Sequence, residues 1–99
     1  MSVKIVTRHE GAIKYLENRG ITGEVIPHLE AENIKKGDQL YGVLPIPFIL
    51  KAIERGAEVY ILVIPWILFT ERGKELSPGE MEEAGAKILK IENLNVKEI

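Results

Sequence analysis

Cysteine is absent from the 99-residue chain. That excludes a disulfide framework and any thiolate metal site, as suits a reducing compartment. Histidine is scarce: His9 and His28 are the only two, and they stand far apart, whereas metal motifs on one element place their ligands a few residues apart. Long apolar runs are missing as well. The longest, Tyr60 to Phe69, is about half the ~20 residues a membrane-spanning helix needs, and Pro65 interrupts it. Met1-Ser2-Val3-Lys4 contains no apolar core of a signal peptide. The formal net charge of −2 argues against a broad basic face that coats long nucleic acid. No Gly-x-Gly-x-x-Gly follows the first strand, which removes the usual signature of a dinucleotide cofactor. The expectation is a cytoplasmic protein with no metal and no cofactor.

What the chain does contain is the balance of an ordinary globular protein, 45% apolar and 28% charged. Its length suits one packed domain. Three glycine joints, Arg19-Gly20-Ile21, Arg55-Gly56-Ala57 and Ala84-Gly85-Ala86, each follow a helical stretch and precede an apolar run. Glycine past a helix end takes the left-handed conformation without a Cβ clash, so each joint reads as a helix stop. The predicted helices are Gly11 to Arg19, Pro47 to Arg55 and Pro78 to Ala84. The predicted strands are Val3 to Thr7, Glu24 to His28, Gln39 to Leu44, Glu58 to Ile64 and Lys87 to Ile91. Ser77-Pro78-Gly79-Glu80 has the pattern of a capping box. Val59 to Ile64 is almost continuously apolar, which predicts a central strand covered on both faces. Alternating strands and helices predict a single-domain α/β fold, a Rossmann-like and mostly parallel five-stranded sheet flanked by helices. The link from Glu30 to Asp38 is short and polar, with Ile34 its one clear apolar anchor, so the topology there stays open.

In open α/β sheets, ligands bind beyond the C-terminal ends of the strands where strand order reverses. The first strand runs into Thr7-Arg8-His9-Glu10-Gly11-Ala12, a polar turn at a helix start. A helix N-terminus favours an anion, and Gly11 lets the backbone come close. Arg8 can grip a phosphate with two hydrogen bonds, Thr7 adds a hydroxyl donor, and His9 can donate to an oxyanion or exchange a proton. A plain surface role stays open beside this, with Arg8 paired to Glu10 and His9 satisfied within a loop. Gly42-Val43-Leu44-Pro45 ends the third strand, and its Leu44 and Pro45 either touch the same ligand or simply punctuate the junction. Trp66 and Phe69 suit a base stack or a dimer interface. Arg72 and Lys74 form a basic loop that either supplies charge to an anion or is solvated. His28, after Pro27, reads as structural.

The order Val6-Thr7-Arg8-His9-Glu10-Gly11-Ala12, then His28-Leu29, Gly37-Asp38, Gly42-Val43-Leu44-Pro45 and Arg72-Gly73-Lys74-Glu75-Leu76-Ser77 resembles the small CRISPR-associated proteins called Csx sixteen, found beside type III systems. The resemblance implies a ring nuclease that binds cyclic oligoadenylate, chiefly cyclic tetra-adenylate, and cleaves it without a metal to switch off antiviral signalling. Arg8 and His9, at matched motif positions and chemically suited to the reaction, are the expected catalytic pair. Thr7, Gly11, Ala12, Leu44, Pro45, Arg72 and Lys74 are the expected ligand contacts, and a homodimer is the expected assembly. A protein that sequesters the ring without cutting it, and a module that docks on a CRISPR effector, are the competing expectations. Trp66 to Phe69 is bulkier than the family pattern.

Overall fold

The computed structural model describes residues 2–63 and 77–99. In chain order the elements are β1 (Val3–Val6), α1 (Glu10–Asn18), β2 (Glu24–Val25), a 3-10 turn (Ala31–Asn33), β3 (Gln39–Gly42), α2 (Ile46–Glu54), β4 (Glu58–Val63), α3 (Pro78–Glu83) and β5 (Lys87–Ile91). Among the described residues the strands form one sheet in the order β2-β1-β3-β4-β5. The first four run parallel, and β5 pairs antiparallel with β4. This is the expected Rossmann-like arrangement.

Two apolar clusters, one per face, hold the layers together. On one face Ile5 and Leu62 pack against Ala12, Tyr15 and Leu16 of α1 and Met81 of α3. The spacing of Ala12, Tyr15 and Leu16 places them on one stripe of α1, which is why that helix lies flat on the sheet. The Tyr15 hydroxyl donates to the Ala86 carbonyl at 3.2 Å and ties α1 to the start of β5. On the other face Leu40 and Val59 pack beneath Ile49 and Ala52 of α2, together with Ile34. The anchor read from the polar Glu30 to Asp38 link is therefore buried. Because β2 and β3 flank β1 on opposite sides, that link must cross β1, and Ile34 fastens it to the second face.

The three glycine stops hold: Gly20, Gly56 and Gly85 have φ of 79, 84 and 81°. So does the capping box, in which the Glu80 amide donates to Ser77 Oγ at 3.2 Å and the Ser77 amide donates to Glu80 Oε1 at 3.0 Å. Three strands are shorter than expected, β1 by the single residue Thr7, and Ile64, the expected end of β4, lies outside the described residues. The Ile26 amide still donates to the Ile5 carbonyl at 2.8 Å, but the chain bends at Pro27 and His28, so β2 stops at Val25 rather than reaching His28. β3 ends at Gly42, whose φ of 139° turns the chain out of the sheet before Leu44. β4 is interior, with buried residues toward both faces as expected, but β3 occupies the middle of the sheet.

Candidate functional site

β1 is the strand on either side of which the order reverses, since its neighbours are β2 and β3. The C-terminal ends of these three strands surround a cavity of about 240 Å³ lined by Val6, Thr7, Arg8, His9, Pro27 and Val43. Its position is the one at which open α/β sheets take ligands. Each wall has a local cause. Val6 ends β1 and Thr7 follows it directly, and both are buried. Pro27 stands where β2 loses its ladder. Val43 is brought alongside by Gly42, where a Cβ would lie 2.2 Å from the Val6 carbonyl oxygen. Only glycine permits β3 to approach β1 this closely at that turn.

Three side chains give the cavity its chemistry. Arg8 is exposed and has no hydrogen-bond or ion-pair partner among the described residues; the alternative of a pair with Glu10 is not what the chain forms. His9 is the N-cap of α1, with extended backbone (φ −91°, ψ 118°) and no side-chain capping bond. Its carbonyl accepts from the Ala12 and Ile13 amides at 3.1 and 3.2 Å, which opens the helix. Thr7 is 8% exposed, and its Oγ1 accepts the His9 amide hydrogen at 3.1 Å. Among the described residues no carboxylate lines the cavity. A guanidinium unpaired among the described residues, an imidazole and a hydroxyl around apolar walls suit a phosphate ester with an attached apolar or aromatic group.

The remaining expected contacts divide by position. Gly11 and Ala12 are buried in the first turn of α1 and do not line the cavity. Leu44 is buried in the cluster beneath α2, and Pro45 is the exposed N-cap of that helix; neither lines the cavity. Arg72, Lys74, Trp66 and Phe69 lie outside the described residues. His28 is exposed beside Pro27 and is not part of the wall. Val6, Pro27 and Val43 were not singled out from sequence. Pro27 and Val43 stand one residue inside the ends of two predicted strands, a position that carries no signal of its own.

A larger depression, about 380 Å³, lies at the opposite edge between Ile53, Gly56, Glu58, Lys90 and Glu92. It sits at the N-terminal end of β4, and its opposed charges give it no preference for an anion. Between the two edges, Tyr41 and Tyr60 stack with ring centroids 4.4 Å apart. Burial and then the Glu58 carboxylate, which accepts from the Tyr60 hydroxyl at 3.1 Å, push both phenols above their ordinary range. They are not poised to ionise.

A doubly wound α/β domain with a cation-bearing cavity at its strand-order reversal is the class these features define. The chain belongs to the family described as "Putative CRISPR-associated protein (Cas_VVA1548)", which matches residues 4–94. No curated protein and no solved structure matches it. The family match bears out the CRISPR association that the residue order implied.

Proposed function

We propose that this CRISPR-associated protein binds cyclic oligoadenylate, chiefly cyclic tetra-adenylate, at the cavity beyond β1, and that it is a ring nuclease. The observation that carries the reading is Arg8: a cation with neither a partner nor a carboxylate beside it among the described residues of the cavity wall. In the reaction the ribose 2′-oxygen attacks the adjacent phosphorus. The 2′-O–P bond forms, the P–O5′ bond breaks, the 2′-hydroxyl proton leaves and the 5′-oxygen gains one. Products are a 2′,3′-cyclic phosphate and a 5′-hydroxyl. Arg8 stabilises charge on the pentavalent phosphorus, and His9 moves a proton.

The cavity is smaller than the ~300–1,000 Å³ that encloses an ordinary small-molecule ligand, and a four-nucleotide ring is larger than such a ligand. Two copies related by a two-fold axis would wall the ring from both sides and supply two imidazoles. Val43 and Ile46, 66% and 58% exposed at the cavity rim and the start of α2, provide apolar surface for that contact. Sequestration without cleavage is the second reading. It is favoured by the single imidazole on the wall, because one chain alone lacks separate groups for the departing and arriving protons.

The test is incubation with cyclic tetra-adenylate in excess EDTA, followed by chromatography. Linear adenylates ending in a cyclic phosphate are expected. A ring that is bound and survives would leave sequestration, and a ring that is not bound would remove both readings.

A further inference from the structure

We propose that the Thr7 hydroxyl is a two-way group: its oxygen holds the His9 backbone while its hydrogen is given to a phosphoryl oxygen of the ligand. The inference rests on the nucleotide-binding reading for its biological ligand, and on the structure for its chemistry. Thr7 is 8% exposed and lines the cavity. One lone pair of Oγ1 takes the His9 amide hydrogen at 3.1 Å. A threonine hydroxyl has one hydrogen to donate besides its two lone pairs, and among the described residues no acceptor receives it. A nearly buried donor calls for an acceptor, and here the missing partner is an oxygen in the cavity.

The surroundings decide what kind of oxygen. Pro27 has no N–H, Val6 and Val43 present apolar side chains, and the Val43 amide already faces the Val6 carbonyl at 3.4 Å. Arg8 is a donor only. Among the described residues the wall thus carries the Arg8 and Thr7 donors and no carboxylate, a set that favours a phosphodiester oxygen. Accepting the His9 N–H polarises the hydroxyl and strengthens its own donation. The same bond fixes the N-cap, so Thr7 both recognises the anion and positions His9 toward it.

The probe is inorganic phosphate, followed by amide NMR on the wild type, Thr7→Ser and Thr7→Val, with cyclic tetra-adenylate as a second titrant. In the wild type the Thr7 and His9 amides should shift saturably with phosphate. Thr7→Ser should bind within about threefold of the wild type, while Thr7→Val should bind at least ~10-fold more weakly, the loss of a hydrogen bond to a charged group. Exchange of the His9 amide with solvent should quicken in Thr7→Val alone. A Thr7→Val protein that binds phosphate as the wild type does would overturn the inference. So would a wild type whose His9 amide ignores phosphate, and that result needs no folded variant. A wild type that takes phosphate but not cyclic tetra-adenylate would remove the messenger reading and leave the role of Thr7 standing.

Discussion

Lys4 and Asp38 meet at the end of the sheet away from the cavity, 2.6 Å apart and both buried. Lys4 Nζ also donates to the Asn33 carbonyl, and the Asp38 carboxylate accepts from the Lys35 and Ser2 amides at 3.1 and 3.3 Å. This network pins the link that crosses β1. Burial alone would raise the Asp38 pKa, but hydrogen bonds from Lys4 and Lys35 outweigh it, and the net direction is down. A carboxylate with a depressed folded pKa contributes stability that is fully present above its unfolded value, about 3.9, and is lost as pH falls through the folded value. Urea unfolding across pH should therefore show a steep loss below about pH 4. Asp38→Asn should flatten that dependence and cost ~3–5 kcal/mol at neutral pH, because it leaves Lys4 buried without its counter-charge. His9 belongs to the same scale. His9→Ala should slow ring cleavage by ~10²–10⁴ with little change in affinity, as read by single-turnover assays beside equilibrium binding. The corner at Arg8 and His9 was legible in the sequence because a strand end, a helix start and a cation are all local features. Pro27 and Val43 were not, since they reach the cavity only through parallel pairing with β1, which leaves no local mark.

Elements whose ends carry chemical punctuation were read well, and those that end for tertiary reasons were not. β5 falls on Lys87–Ile91 as expected, and α3 begins at Pro78 behind its capping box. β2 is shorter than its apolar pattern suggests: Ile26 still bonds to Ile5, and the bend at Pro27 and His28 then takes the chain away from β1. β3 was drawn through Leu44 on hydropathy, yet Leu44 is apolar because it sits under α2. Gly42 is the element-scale hinge between fold and site. Gly42→Ala would press a Cβ against the Val6 carbonyl in a left-handed conformation. That substitution should cost at least ~1–3 kcal/mol in thermal or urea unfolding. It should also weaken ligand binding by moving Val43 from the wall, an effect a remote destabilising variant would not share.

At the scale of the whole molecule, the alternation of strands and helices was enough to give the fold class but not the strand order. A 3-10 turn and a single isoleucine carry the link from β2 to β3, and nothing in their composition says on which side of β1 the chain returns. That return puts β1 between two parallel neighbours and opens the cavity above it. The net charge of −2 is no obstacle to an anionic ligand, because among the described residues the cavity wall carries Arg8 without a carboxylate. Short-range contacts dominate when the Debye length is about 8 Å at physiological salt.

The most direct test of this account is an equilibrium titration of cyclic tetra-adenylate against the wild type and Arg8→Ala, with the melting temperature of each measured alongside. Exposed and unpaired among the described residues, Arg8 should be removable without loss of stability, while affinity should fall at least ~10-fold as its charge-assisted hydrogen bonds disappear. Equal affinity in the two proteins would contradict the account and place the ligand elsewhere on the molecule.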